Sequence, residues 1–302
     1  MNDPAFAEEI KHRERQTYDA CAGFYSRVWT SYTHGIADAL VRLAGAQPGD
    51  RGLDLTAGTG AAGLRLAQQV GEPGHVVITD LSPGMIEQAR ANAAAYGVRN
   101  VTCRVMDAEA LEFPDGAFDR VISTFGVMFL PDIRRGMREA FRVLRPGGSI
   151  GLAVWSTLEN VPFIGYPMLA VLRQLAPAPV RLLLRTPGAR RRVQRRLLRK
   201  DRPQGFTPGR FGEPGELEAA LSEAGFQSVQ RVRGTFPLVF DHPQAFLDAT
   251  FKGSPAKAML EGLPPRAARK VLDDMWRLMG VRDGPLVLNN EACLLYGSKP
   301  AC

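Results

Sequence analysis

The sequence predicts an α/β fold, a parallel sheet covered by helices on both faces, and three observations carry that expectation. Strand-like and helix-like segments alternate five times between residues 50 and 155. A glycine-rich turn, Gly58-Thr59-Gly60-Ala61-Ala62-Gly63, joins the first strand of the series to its first helix. An aspartate closes or follows each of the first three strands, at Asp54, Asp80 and Asp107, which sets three acids along one sheet edge, where ligands of open parallel sheets bind.

Residues 1 to 45 precede the series and read as helical, because Tyr18, Phe24, Tyr25, Val28, Trp29, Tyr32, Ile36 and Leu40 recur mainly at three- and four-residue steps. Pro48-Gly49-Asp50 turns the chain into the first strand, with Leu53 and Leu55 as its apolar positions and Asp54 near its carboxyl end. The glycines that follow let the backbone turn tightly and approach a ligand. The helix from Ala62 to Val70 presents unpaired N–H groups and a positive dipole end to that ligand. The second strand is His75 to Asp80; Ser82 as N-cap and Pro83 at the first helical position start a helix that reaches about Tyr96. Val101 to Met106 is the third strand and Phe118 to Ser123 the fourth; a helix spans about Arg134 to Val143, and the turn Arg145-Pro146-Gly147-Gly148 leads into a fifth strand from Ser149 to Trp155.

Composition narrows the function classes. An apolar share of 45% and a charged share of 23% are those of an ordinary globular chain, no run of about 18 apolar residues marks a membrane span, and residues 1 to 13 lack an apolar signal core, so a cytoplasmic location is expected. The cysteines, Cys21, Cys103, Cys293 and Cys302, are scattered without metal-ligand spacing, so reduced thiols and no metal are expected. The net charge of +7 is local: from Arg181 to Arg202 nine arginines and one lysine face a single acid, Asp201. That block holds no aromatic residue, which argues against nucleic acid. A solvated helix face or a mobile loop is the ordinary explanation of such a run; an acidic substrate, a carrier-protein thioester, an anionic membrane or RNA are the functional ones.

Two cofactors compete for the glycine turn. Gly58, Gly60 and Gly63 fit the dinucleotide pattern G-x-G-x-x-G, and Asp80 lies twenty residues beyond Gly60, where a ribose-binding acid belongs; this supports a nicotinamide-dependent oxidoreductase. Asp54, Asp107 and the Pro146-Gly147-Gly148 turn are not required by that pattern and point to another ligand with hydroxyl and amino groups.

The stretch Tyr18 to Trp155 resembles the class I S-adenosylmethionine-dependent methyltransferases, in the style of the ubiquinone/menaquinone-biosynthesis C-methyltransferases and their natural-product relatives. The resemblance rests on Tyr18-Asp19 and Phe24-Tyr25, Leu53 to Gly60, Asp80 to Met85, Asp107 to Leu111, Phe113 to Asp119, and Glu139 to Gly148. It covers almost half of the chain closely. It implies a Rossmann-like, seven-stranded, mostly parallel sheet whose seventh strand is antiparallel, a helical N-terminal region at 1–45, a cofactor-binding core at 46–156, a lid insertion at 157–210 containing the basic segment 181–202, and completion of the sheet over 211–302 around a helical insertion at 243–280. The sixth strand then falls at Val229 to Phe240 and the seventh at Ala292 to Lys299.

Carried over position by position, the resemblance implies S-adenosyl-L-methionine as cofactor. Asp54, Gly58, Thr59 and Gly60 would line its amino-acid end, Asp80 would take the ribose hydroxyls, Leu81 and Met85 would pack on adenine, Asp107 would accept from the exocyclic amine and Ala108 would offer backbone contact. Ser123 would lie beside the methionine portion, with Thr124, Phe125 and Met128 near the methyl group. Tyr18, Tyr25, Trp29 and Phe125 are candidates for aromatic contact with the sulfonium, and Trp29, Phe125 and Met128 for lining the substrate. Thr56 departs from the pattern, which has glycine there.

Methyl transfer depends on alignment and a water-poor site, so no strong catalytic constellation is required. His34 is the candidate base, and Tyr18 or Tyr25 the candidate for orienting an acceptor. The expected acceptor is a small lipophilic molecule, acidic or diphosphate-bearing if the arginine block faces the site. The alternatives are an RNA methyltransferase and a chain of this fold that uses the bound sulfonium for non-methylating chemistry.

Overall fold

The computed structural model describes residues 4–175, 209–252 and 260–301. The basic segment 181–202 and its proposed contacts therefore lie outside the described residues. The chain divides into two compact units. The first holds 4–155, 209–234 and 292–301 of the described residues; the second holds 156–175, 235–252 and 260–291.

In the first unit, α1 (Pro4–Leu43) is one uninterrupted helix, followed by β1 (Arg51–Asp54), α2 (Ala61–Val70), β2 (His75–Asp80), α3 (Pro83–Ala95), β3 (Val101–Val105), β4 (Phe118–Thr124), α4 (Ile133–Val143) and β5 (Leu144–Trp155). Two long strands, β6 (Gln227–Phe240) and β7 (Leu286–Ser298), complete a seven-stranded sheet in the order β3-β2-β1-β4-β5-β7-β6. The pairs β1–β2, β1–β4, β2–β3 and β4–β5 are parallel, and β7 runs antiparallel to β5 from Ser298 opposite Ser149 to Ala292 opposite Trp155. Helices on both faces demand apolar residues on both sides of the central strands. Accordingly Leu53, Val76, Ile78, Val121, Ile122, Ile150, Leu152 and Val154 are fully buried.

Local chemistry sets the helix starts. Ser82 Oγ accepts from the Met85 amide with Pro83 in the first turn, and Asp132 accepts from Arg135 N at the start of α4. At the other end of α4, Lys299 Nζ donates to the carbonyls of Phe141 at 2.8 Å and Leu144 at 2.7 Å, a cation placed where the helix leaves acceptors unpaired.

Three boundaries differ from the sequence reading by more than two residues. The fifth strand begins at Leu144, ahead of the expected turn, because Leu144 pairs with Phe118 and the Pro146-Gly147-Gly148 stretch is absorbed as a register shift. The seventh strand begins at Leu286 rather than Ala292: Leu286, Leu288 and Asn290 alternate inward with outward Val287 and Asn289, and Asn290 Oδ1 accepts the Phe163 amide at 2.9 Å, so the Asn-Asn pair does not turn the chain. Among the described residues, the helical insertion holds the helices Pro243–Lys252 and Pro265–Met279 with a break at 262–264, Pro264 being the residue before the second.

The second unit also carries α5 (Pro162–Leu175), packed against the helix Pro265–Met279; Gln174 Nε2 donates to Asp274 Oδ2 at 3.2 Å. Phe246 centres an aromatic cluster with Phe163 and Phe240. No helix among the described residues is long and apolar enough to cross a membrane.

Candidate functional site

The sheet order reverses between β1 and β4, and a cavity of about 130 Å³ lies where the β1, β2, β3 and β4 carboxyl ends meet α1. Its floor is the turn after β1. Leu55 N donates to Ile122 O and Ala57 N to Thr79 O, each at 2.8 Å, which suspends the turn between β4 and β2. Gly58 at φ +55° and Gly60 at φ +83° occupy left-handed backbone, the latter as N-cap of α2, and without a Cβ they do so at no steric cost.

Asp80 fastens this turn. Its Oδ2 accepts the Gly58 amide at 2.8 Å and its Oδ1 the Ser82 amide at 2.9 Å, leaving a further lone pair on each oxygen for hydroxyl donors. Burial pushes the Asp80 carboxyl above its usual range, and the Ser82 and Gly58 amides oppose that shift. Asp54 is fully buried beneath the turn, and neither of its oxygens has a hydrogen-bond partner. Burial pushes its carboxyl well above the usual range; the nearby Gly63 amide, outside hydrogen-bonding geometry, opposes this.

Two non-glycine residues in the lining have left-handed backbone, Thr56 at φ +54° and Phe125 at φ +59°, conformations that cost about 1–3 kcal/mol each and concentrate at functional sites. Thr56 Oγ1 lies 2.8 Å from Ser123 Oγ, and the Phe125 ring stacks on Trp155 at 3.7 Å with 7° between the planes. The Thr124 hydroxyl, also in the lining, has no hydrogen-bond partner.

The remaining wall is α1, which presents Lys11, Tyr18 and Tyr25 at seven-residue steps, with Glu14 and Arg15 between them. The Tyr18 ring meets Tyr25 edge-on at 6.1 Å and Phe129 at 5.4 Å. Burial drives both tyrosine hydroxyls up, so they stay protonated. Asp19 holds the helix in place by accepting from Ser82 Oγ at 2.5 Å and Gly84 N at 2.9 Å, Ser26 bonds Asn92, and Asp38 pairs with Arg65 at 2.6 Å.

The sequence-predicted residues divide accordingly. Tyr18, Tyr25, Gly58, Thr59, Asp80, Leu81, Met85, Asp107, Ala108, Thr124 and Phe125 line the cavity. Six others do not. Asp54 and Ser123 are fully buried behind the turn, Gly60 supports it from the start of α2, Trp29 is buried within the packing of α1, and Met128 turns its sulfur toward the Trp155 amide at 3.4 Å. His34 does not line the cavity but an adjoining hollow with Ala61, Leu64, Arg65, Gln68 and Tyr96. No histidine lines the cavity among the described residues. Sequence reasoning missed Lys11, Glu14 and Phe129; the seven-residue step from Lys11 to Tyr18 to Tyr25 was the available signal for the first.

The donor set suits an adenosyl ligand. Asp80 and Asp107 offer acceptors in the lining, Leu81, Met85, Met106 and Ala108 offer an apolar slot between them, and Thr124 offers an unused hydroxyl at the opposite end of the strand edge.

Residues 53–148 match the family model of a methyltransferase domain. The chain is 34% identical over 150 residues to the aklanonic acid methyltransferase DauC of Streptomyces sp. (strain C5), which covers 50% of this chain and 66% of that relative. It is 32% identical over 151 residues to the ubiquinone/menaquinone biosynthesis C-methyltransferase UbiE of Serratia proteamaculans (strain 568), covering 48% of this chain and 57% of the relative. The chain thus spans less than two thirds of the length of these curated relatives. Among solved structures, the YcgJ protein of Bacillus subtilis shares the fold with a TM-score of 0.56 at 18% identity, over 88% of this chain and 99% of that one. Sheet order, turn and family match agree: the domain that this chain carries is a class I, S-adenosylmethionine-dependent methyltransferase domain.

Proposed function

We propose that the chain methylates carbon or oxygen of a small lipophilic acceptor, with S-adenosyl-L-methionine as donor. The observation that carries this reading is one cavity lined both by acceptors for an adenosyl group, Asp80 and Asp107, and by aromatic rings, Tyr18, Tyr25, Phe125 and Phe129. The names of two relatives, for aklanonic acid and for ubiquinone and menaquinone, support a small organic acceptor over RNA. A cytoplasmic setting, and docking of the basic segment 181–202 on an acidic substrate, a carrier protein or an anionic membrane, belong to the same proposal.

The sulfonium of the donor supplies an already activated methyl group. The protein's part is to bind, align and exclude water. Asp80 would accept from the ribose hydroxyls and Asp107 from the purine amine. Tyr18 and Tyr25 enclose the cavity from above with faces suited to a cation, and the Phe125–Trp155 stack gives it a rigid aromatic edge. Where the acceptor must lose a proton, Glu14 is the group available: it lines the cavity, and burial pushes its pKa up although Arg13 donates to its Oε1 at 3.3 Å, which brings a carboxylate closer to the range of a working base.

The test is turnover. Incubation with the methyl donor and a panel of phenolic, quinone-like and polyketide acids should release S-adenosylhomocysteine together with a product 14 mass units heavier. Tight donor binding with no release of S-adenosylhomocysteine across the panel would favour non-methylating chemistry at the same site.

A further inference from the structure

Lys11 projects from α1 to the β3 end of the cavity, where its ammonium lies 2.7 Å from Asp107 Oδ2 and 2.9 Å from Glu109 Oε2, with Glu8 at 3.3 Å on its own helix. The contact spans 96 residues of sequence, and the lysine side chain is only 10% exposed. Asp107 is thereby held at both oxygens, since Oδ1 accepts the Glu109 amide at 2.8 Å. Glu109 is buried behind it and accepts the Asp132 amide at 2.6 Å. Three carboxylates thus share one cation, and Asp107, the one that lines the cavity, closes an apolar slot made by Leu81, Met85, Met106 and Ala108. An ionised carboxylate accepts and cannot donate. It therefore admits a flat ring bearing an amino group and rejects one bearing a carbonyl at the same place.

We infer that Lys11 is a positioning residue that holds Asp107 as an acceptor and so selects a 6-amino over a 6-oxo purine on the bound nucleoside. The inference rests on the adenosyl reading above and extends it to a residue of the N-terminal helix. Without the ammonium, Asp107 and Glu109 repel, and Asp107, the more exposed of the two, turns from the slot.

The experiment is calorimetric titration of the full chain with S-adenosylhomocysteine and S-inosylhomocysteine, for the wild type, Lys11→Met and Lys11→Arg, each checked for an unchanged thermal transition. The wild type should prefer the adenosyl compound roughly ten- to a hundredfold, the scale of one hydrogen bond to a charged group, and Lys11→Met should bring the two affinities within about threefold of each other. Lys11→Arg, which keeps a cation, should retain most of the preference. Equal losses for both ligands in Lys11→Met would mean that Lys11 only docks the helix, and would overturn the inference, as would no change or a wild type that binds both compounds equally. A wild type that binds neither would remove the adenosyl reading itself and the inference with it.

Discussion

Thr56 and Gly126 interlock across the cavity floor: with Thr56 in left-handed backbone, a Cβ on Gly126 would collide with its side chain and its carbonyl oxygen. Thr56 stands where the family resemblance leads one to expect glycine, and residue 126 accommodates it by having no side chain. Thr56 in return gains the 2.8 Å contact with Ser123.

Gly126→Ala should therefore destabilise the protein by about 2–4 kcal/mol, as overpacking at a rigid contact does. Thr56→Gly in the same chain should recover part of that loss but not all, because the Thr56 carbonyl remains close. Denaturant titration of both single variants and the double variant gives the coupling; strictly additive losses would disprove the interlock.

Asp80 fastens the turn and, in the proposed reading, takes the ribose as well. Asp80→Ala removes the acceptor for Gly58 and Ser82 amides as well as for ribose hydroxyls, so affinity for S-adenosylhomocysteine should fall at least tenfold, the scale of one charge-assisted hydrogen bond. Unchanged affinity in a folded variant would displace the ribose from this strand end.

Asp54 sets a pH dependence of stability. Its folded pKa lies above the unfolded value, so the folded state holds the proton more tightly. The stability linked to that proton is fully present below the unfolded pKa of about 3.9 and is lost as pH rises toward the folded value. Asp54→Asn should flatten this decline in denaturation midpoints measured from acid to neutral pH; a decline as steep as that of the wild type would assign it to other groups.

Glu14 should govern the rate where the acceptor is an acid. Glu14→Gln should slow methyl transfer about a hundredfold or more with donor affinity little changed. Because only the carboxylate can take a proton, the wild-type rate should rise with pH through the elevated Glu14 pKa, and that limb should vanish in the variant.

Much of the core was legible because its signals are local. The alternation of Leu53, Val76 to Ile78 and Val121 to Ile122 with helical segments, the glycine turn and the Ser82-Pro83 start each depend on residues within a few positions of one another. The strand-end acids Asp80 and Asp107 followed from the same pattern. What the sequence concealed depends on depth and on distant partners. Asp54 and Ser123 occupy expected strand positions yet lie one layer behind the cavity, and His34 belongs to the same helix as Tyr18 and Tyr25 but opens on another hollow. Lys11 acquires its role only through acids 96 and 98 positions away, a relation that no periodicity displays. The early start of β7 was hidden because Asn289-Asn290 has turn chemistry until Phe163 supplies a donor to the buried amide.

The most direct test of the central claim is calorimetric titration of cofactor-stripped protein with S-adenosylmethionine, S-adenosylhomocysteine and NAD(H) side by side. Binding of both adenosyl ligands, with none of NAD(H), is the expected result. Binding of NAD(H) alone would contradict it, make Gly58 to Gly63 a dinucleotide turn, and withdraw the assignments of Asp107 and Lys11.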